Sequence, residues 1–313
     1  ASASSGPPPP TPLCKLWALS TITCPAVTPV IGSRRPAAPF SDREPDSMIR
    51  LIASDLDGTL LAPDGQLAPR TLDAIAAAAE AGIRVIAATG RSFRTADHRL
   101  RAAPELKTIV CSNGALVYDL HDEQILETRP IGGDALRALF AKLRAGVPEL
   151  RFGWETVHGF GLEPDFGRKP GDSEHDPSLI AGPQRAEEVT EAIKAFIAHP
   201  EVEQIELQRM LVPQLPTELN GATSGARFIE VTAAGVDKGS SVAALATAWG
   251  IDSSEVLGIG DQMNDESLLR RAGLSVAMGN ARPEIKQIAD VVAPPCSEDG
   301  AAQMIERAVA GEL

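Results

Sequence analysis

Residues 49–60 read IRLIASDLDGTL, and this stretch decides the fold. The mostly apolar run Ile49–Ser54 predicts a strand that is buried inside a sheet. Two carboxylates, Asp55 and Asp57, follow directly where that strand ends, and Gly58 allows the chain to turn away. Residues two apart in an extended chain lie on one side, so both carboxylates can serve one site. This arrangement is typical of a parallel sheet with ligands bound at its carboxyl edge.

Short apolar runs alternate with amphipathic segments before and after a less regular central stretch. The further predicted strands are Arg84–Ala88, Thr108–Cys111, Val256–Gly260, Leu274–Ala277 and Val291–Val292. The predicted helices between them are Thr71–Ala81, Lys238–Trp249, Glu266–Ala272, Pro283–Ala289 and Ala301–Val309. Such alternation predicts an α/β fold with a Rossmann-like parallel sheet.

The central stretch has clustered glycine and proline and the mixed texture of an α+β domain. Its predicted helices are Asp134–Ala145 and Ala186–Ala198, and its strand-like runs are Leu150–Trp154, Val202–Leu211 and Arg227–Val231. We therefore expect a core domain formed by residues 48–116 and 229–313, with residues 117–228 inserted into it as a smaller α+β domain.

The first 47 residues differ from the rest because they contain ten of the chain's 25 prolines. We expect residues 1–47 to be a disordered leader or a non-native extension. A mildly apolar segment behind Lys15 and few acidic residues leave two alternatives open, an organellar targeting peptide and a secretory signal. The expected location is cytoplasmic, with organellar import if the leader is native.

The overall charge excludes some partners. The chain has 29 basic and 42 acidic residues, a net charge of −13, which argues against nucleic acid or an anionic membrane surface as a partner. The sequence has no uninterrupted apolar stretch of the ~18 residues that a membrane span needs. Its four cysteines form no CxxC pair, which favours a reducing compartment.

A second acidic motif, GDQMND, follows the predicted strand Val256–Gly260. Its oxygen-bearing side chains Asp261, Asn264 and Asp265 are of the kind that hard cations prefer. The alternative is that Asn264 or Asp265 only caps the following helix, which would account for one of the three residues.

Two shorter signals indicate an anion. Thr89 and Gly90 follow a predicted strand and precede a helix, so a hydroxyl and free backbone N–H groups are available to bind an anion. Lys238 lies at the start of a helix, where a cation is unfavourable unless an anion is near. The alternatives are an ordinary threonine cap and a solvated surface lysine.

In this order, DLDGTL, TGR, the lone lysine and GDQMND resemble the motifs of the haloacid dehalogenase-like (HAD) hydrolases. SNGA at Ser112–Ala115 and VAMGNA at Val276–Ala281 make the chain similar to the Cof-type subfamily of Mg²⁺-dependent phosphatases with a type IIB cap. The resemblance extends over about residues 49–312 and implies the HAD fold.

The resemblance also implies roles for the motif residues. Asp55 would be the nucleophile that forms an aspartyl-phosphate, and Asp57 the acid that protonates the leaving oxygen and later accepts a proton from water. Thr89 and the Gly90 amide would bind phosphate oxygens, and Lys238 would neutralise the charge of Asp55 and the phosphate.

By the same resemblance, Mg²⁺ would bind a carboxylate oxygen of Asp55, the backbone carbonyl of Asp57 and the Asp261 carboxylate. Asp265 would lie in or just behind that set of ligands, and Asn264 would turn toward the phosphate. Asn113 would line the same cleft.

The expected substrates are small phosphorylated metabolites, sugar phosphates especially. Two other functions stay open, a phosphotransferase or mutase that uses the same intermediate and a non-catalytic phospho-ligand sensor. The chain is expected to be a monomer or a small homo-oligomer. Five cap residues are candidates for substrate contact, with cap core or solvated loop as the alternative: Trp154, Glu155, His158, Arg168 and Lys169.

Overall fold

A computed structural model of the chain describes residues 48–166 and 185–313. The expected leader, residues 1–47, therefore lies outside the described residues. Within them, the strands form an eight-stranded sheet, a five-stranded sheet and a two-stranded pair. None of the described helices has the length and apolar character needed to cross a membrane.

The described strands are β1 (Leu51–Ser54), β2 (Arg84–Ala88), β3 (Thr108–Cys111), β4 (Leu116–Asp119), β5 (Gln124–Thr128), β6 (Ile131–Gly132), β7 (Arg151–Thr156), β8 (Gly159–Leu162), β9 (Glu191–Ala192), β10 (Lys194–Ala198), β11 (Leu219–Ala222), β12 (Ile229–Ala233), β13 (Val256–Gly260), β14 (Leu274–Ala277) and β15 (Val291–Val292). The described α-helices are α1 (Pro69–Glu80), α2 (Phe93–Leu100), α3 (Gly133–Gly146), α4 (Gln204–Leu211), α5 (Lys238–Ala248), α6 (Glu266–Arg271), α7 (Pro283–Lys286) and α8 (Gly300–Val309).

The eight-stranded sheet has the order β15-β14-β13-β1-β2-β3-β4-β5, and its first six strands are parallel. In β1, Ile52 packs into the cluster that contains α1 and α8, whereas Leu51 and Ala53 pack against α5 on the opposite face. Because helices cover both faces, every residue of β1 is buried. The predicted α/β fold with a parallel core sheet is confirmed.

The five-stranded sheet is antiparallel, with the order β11-β12-β10-β7-β8. Helices α3 and α4 pack on one of its faces through Phe140 and Leu207, against Trp154 and Ile197 of the sheet. The face not covered by these helices carries Glu155 and other residues that line a cavity shared with the loops of the core sheet.

Two secondary-structure predictions in this region are wrong. The segment Ala186–Ala198, expected to be a helix, is a short 3-10 turn followed by β9 and β10. All five residues of β10 are buried because it is the central strand of its sheet, and helical amphipathicity is therefore absent. The segment Val202–Leu211, expected to be a strand, contains α4, which buries Leu207 and Leu211 at a helical spacing of four.

The division of the chain into a core and an inserted cap stays a proposal. Strands β4 and β5 pair with the core sheet, and β12 pairs in the five-stranded sheet. A boundary drawn by sheet membership would therefore fall after Thr128 and after Ala233, rather than at residues 117 and 228.

Candidate active site

The candidate site lies at the carboxyl edge of the core sheet. Asp55, Thr89, Ser112 and Asp261 directly follow β1, β2, β3 and β13, respectively. These four strands are mutually parallel neighbours, so their following loops meet at one edge. Both acidic motifs and the phosphate-binding loop predicted from the sequence are therefore adjacent in the fold.

Lys238 lies at the centre of the site with no solvent exposure. Its Nζ donates hydrogen bonds to Asp55 Oδ1 and Asp265 Oδ1, each at 2.6 Å. The lysine is the first residue of α5, whose N-terminus is closed by a capping box between Asp237 and Ser240. Burial alone would lower the pKa of Lys238, but the two carboxylates raise it above its ordinary value, so the side chain carries a proton.

Gly239 makes this position of Lys238 possible. A Cβ atom at residue 239 would lie 2.2 Å from the backbone oxygen of Ser267, which belongs to α6. Only glycine therefore lets the start of α5 approach α6 closely enough to bring the ammonium between the carboxylates.

Three buried carboxylates, those of Asp55, Asp261 and Asp265, have oxygens within 4.8 Å of one another. Burial, together with the nearby acids, raises the pKa of Asp55 well above its ordinary value despite Lys238. Burial and the Asp265 charge raise the pKa of Asp261 to about 6. Asp265 also accepts backbone N–H bonds from Asp261 and Gln262 through Oδ2, each at 2.9 Å. Such a cluster of hard oxygen donors fits a divalent cation.

Asp57 is turned away from that cluster. Gly58, with φ of +76°, redirects the chain, and a Cβ there would come within 2.6 Å of Asp261 Oδ2. The Asp57 carboxylate instead forms a bidentate ion pair with Arg91, at 2.5 and 2.6 Å. The expected catalytic acid is thus held by the arginine of the TGR motif.

Of the four expected phosphate-binding residues, Gly90 and Asn264 line a common cavity, while Thr89 and Lys238 are buried next to it. The Thr89 hydroxyl accepts the Arg91 backbone N–H at 3.0 Å. Asn264 donates from Nδ2 to Asn113 Oδ1 at 2.9 Å, and its own buried Oδ1 has no hydrogen-bond partner in the described part of the chain. Gly90, Asn264 and Asp55 all line a cavity of about 330 Å³ beneath the five-stranded sheet.

A buried polar chain joins that sheet to the loops of the core. Lys194 Nζ donates to the Gly90 carbonyl and, at 2.5 Å, to Glu230 Oε1. Glu230 Oε2 accepts from Asn113 Nδ2 at 3.1 Å. Burial would raise the pKa of Glu230, but the Lys194 charge together with hydrogen bonds from Lys194, Ser224 and Asn113 outweighs burial and lowers that pKa.

The five cap candidates have different positions. Glu155 is buried, lines the cavity and accepts the Ser112 hydroxyl at 2.7 Å. Trp154 lies in the apolar core of the five-stranded sheet, and His158 is exposed at the turn after β7. Arg168 and Lys169 lie outside the described residues.

Sequence reasoning did not single out three charged residues that line the cavity, namely Arg91, Lys194 and Glu230. A usable signal was present for the last two, because each is a lone charge within an otherwise apolar run, KAFIA and FIEV. A charge in the interior of a buried strand requires a partner.

The sequence pattern of the haloacid dehalogenase-like hydrolases matches residues 52–305. The chain belongs to this family. The predicted resemblance is thereby confirmed.

Curated relatives are named phosphatases. The pyridoxal phosphate phosphatase YbhA of Escherichia coli is 29% identical over 267 residues, which are 82% of this chain and 97% of that protein. The HMP-PP phosphatase of Serratia proteamaculans is 29% identical over 244 residues, covering 77% and 88% of the two chains. This chain is accordingly a phosphoric monoester hydrolase of the HAD superfamily.

Solved structures support the fold. BT1666 of Bacteroides thetaiotaomicron, a HAD phosphatase, aligns with a TM-score of 0.71 at 24% identity, covering 84% of this chain and 96% of that one. The HAD subclass IIB sugar phosphatase BT4131 aligns with a TM-score of 0.66 at 21% identity, covering 82% and 98%.

Proposed function

We propose that the chain is a Mg²⁺-dependent phosphatase that hydrolyses small phosphorylated metabolites through an aspartyl-phosphate on Asp55. The observation that carries the proposal is the bridge from buried Lys238 to Asp265 and to Asp55, of which Asp55 lines the cavity. A carboxylate attacks a phosphate dianion only where their negative charges are compensated, and the lysine supplies part of that compensation.

In the first step, an Asp55 oxygen attacks phosphorus and the bond from phosphorus to the leaving alcohol breaks. Asp57, which can hold a proton once its ion pair with Arg91 opens, gives that proton to the leaving oxygen. In the second step, Asp57 takes a proton from water, which attacks the same phosphorus and releases phosphate and the Asp55 carboxylate. Thr89 and the Gly90 amide would hold the phosphate oxygens in line for both steps.

The bound metal would be held by the carboxylates of Asp55 and Asp261 and by the backbone carbonyl of Asp57. Asp265 would lie just behind these ligands and would not bind the metal directly, since its two oxygens already accept hydrogen bonds from Lys238 and from backbone N–H groups. Mg²⁺ suits such an all-oxygen set and would contribute charge compensation for the transferring phosphoryl group. Asn264 would complete the site on the phosphate side.

The substrate class is the finer part of the proposal. The relatives' names cover pyridoxal phosphate and HMP-PP, one fold neighbour is a sugar phosphatase, and the sequence predicts sugar phosphates. All are small phosphorylated metabolites, and the cavity of about 330 Å³ accommodates compounds of that size.

The test is phosphate release from a panel of sugar phosphates, nucleotides and a chromogenic ester, with Mg²⁺ or with EDTA. Release that needs the metal and is abolished in Asp55→Asn supports the proposal. Transfer of phosphate to an acceptor hydroxyl, with little release to water, would favour the phosphotransferase instead. Binding without turnover of any compound would favour the sensor.

A further inference from the structure

The roof of the cavity is formed by the face of the five-stranded sheet that α3 and α4 do not cover. Three ionisable side chains there are buried, with relative exposures of 1% for Glu155, 2% for Lys194 and 4% for Glu230. Adjacent strands place Glu155 directly between Phe160 and Lys194, because it pairs with both. The roof therefore meets the part of a substrate that lies beyond its phosphate.

Most of the polar side-chain atoms of these three residues already have hydrogen-bond partners within the protein. Lys194 donates to Gly90 and Glu230, and the second oxygen of Glu230 accepts from Asn113. Glu155 Oε1 accepts from Ser112, and the Ser92 hydroxyl is near enough to the carboxylate to oppose the rise in its pKa that burial causes. Glu155 Oε2 is buried and has no partner in hydrogen-bond geometry among the described residues. An unsatisfied buried carboxylate oxygen is costly, so a ligand that donates a hydrogen bond there gains affinity.

Three phenylalanines form much of the rest of the roof, next to Ser224 and Ala226. Phe160, Phe196 and Phe228 line the cavity, and Phe196 lies 6.2 Å from Phe160 and 4.9 Å from Phe228 between ring centroids. Flat rings pack well against such a wall and add stacking contacts, whereas a sugar in the same place would set hydroxyl groups against three aromatic side chains.

We infer that this site prefers phosphate esters whose alcohol carries a planar aromatic ring with an N–H or O–H donor on its edge, and that Glu155 recognises the donor. The inference rests on the proposed phosphatase function, whose substrate class it narrows. In a substrate whose phosphate lies at Asp55 and whose ring lies beneath the three phenylalanines, the edge of the ring would lie beside Glu155.

Four phosphate esters of one size class test this: 3-aminobenzyl, benzyl and cyclohexylmethyl phosphate, and glucose 6-phosphate. We expect kcat/KM to be at least about tenfold higher for 3-aminobenzyl than for benzyl phosphate, as befits one hydrogen bond to a charged group. Cyclohexylmethyl phosphate and glucose 6-phosphate should be poorer still. Equal values for the four, or glucose 6-phosphate as the best, would overturn the inference and leave the phosphatase function intact.

Glu155→Gln should remove the preference for the amino group, because the amide nitrogen would then face the donor. The ratio of kcat/KM for 3-aminobenzyl phosphate to kcat/KM for benzyl phosphate should fall to about one in this variant. Glu163→Gln is the matched control, since Glu163 is also a buried glutamate of this sheet region but is held by Arg144 away from the cavity. A parallel loss for both benzyl esters in Glu155→Gln would assign a structural role to Glu155 and overturn the inference.

Calorimetric titration of 3-aminobenzyl and benzyl phosphate into Asp55→Asn, with Mg²⁺, measures binding without turnover. A tenfold preference there, with no hydrolysis by the wild-type chain, would uphold the inference and overturn the proposed function. Equal binding of the two esters would overturn the inference whatever the turnover.

Discussion

Arg91 holds both carboxylate oxygens of Asp57 in a bidentate ion pair, at 2.5 and 2.6 Å. The two residues come from the loops after β2 and β1, so the pair crosses the edge of the core sheet at the mouth of the cavity. The Asp57 side chain is 48% exposed and has no part in the buried carboxylate cluster. Arg91 therefore fixes the direction of a side chain that burial does not fix.

Replacing Arg91 by lysine should lower kcat/KM for any hydrolysed ester by about tenfold to a hundredfold. The ammonium keeps the charge but cannot bind both carboxylate oxygens in one plane. Steady-state kinetics on the chromogenic ester is the measurement. Arg70→Lys is the matched control, because Arg70 forms a similar pair with Glu306 away from the site. Wild-type kinetics in Arg91→Lys would contradict the positioning role.

Asp57→Asn should lose turnover but keep its affinity for phosphate. An amide of the same shape leaves the phosphate-binding groups in place and cannot give or take the proton, a loss of about 10²–10⁴-fold in kcat. Titration with inorganic phosphate in the presence of Mg²⁺ measures the retained binding. If phosphate binding falls together with turnover, Asp57 would be a binding residue rather than the proton donor.

Mg²⁺ should stabilise the folded chain. Three buried carboxylates repel one another with only Lys238 between two of them, and a cation that binds the folded state alone shifts unfolding by mass action. At about a hundred times its Kd, the ion contributes about 2.7 kcal/mol. Thermal unfolding with Mg²⁺ and with EDTA measures the shift in Tm.

Asp261→Asn should abolish most of that Mg²⁺-dependent shift, because it removes a carboxylate from the cluster. Asp73→Asn serves as the control, since Asp73 is exposed on α1 and far from the site in the chain's fold. An undiminished shift in Asp261→Asn would place the cation elsewhere.

The core sheet and its motif loops could be predicted from the sequence because each buried strand is a short apolar run and each loop follows directly. Asp55 and Asp261 lie 206 positions apart in the chain, yet their strands are adjacent parallel neighbours. Parallel pairing alone is enough to bring such loops to one edge.

The five-stranded sheet was harder to predict. In β10, Ala195 and Ile197 lie on the face covered by helices, and Lys194 and Phe196 lie on the face toward the cavity. Because both faces are buried, the sequence lacks the alternation of apolar and polar residues that predicts a strand. The pairing of Lys194 with Glu230 depends on the register of β10 against β12, which the sequence pattern does not specify.

The buried ion pair between Lys194 and Glu230 should stabilise the fold only while both residues are present. Lys194→Met should lower the free energy of unfolding by about 3–5 kcal/mol, because Glu230 is left charged and buried without its partner. The double variant Lys194→Met/Glu230→Gln should recover at least half of the loss, since the amide oxygen still accepts from Asn113 and no charge remains. Urea denaturation of the four proteins of this cycle gives the coupling energy.

The exposed pair Arg270 and Glu266 on α6, 36% and 39% exposed, is the control, with an expected coupling of about 0.5 kcal/mol or less. Additive losses at Lys194 and Glu230 would mean that each stabilises the fold through separate contacts, and the polar chain from the five-stranded sheet to Gly90 would not act as a unit.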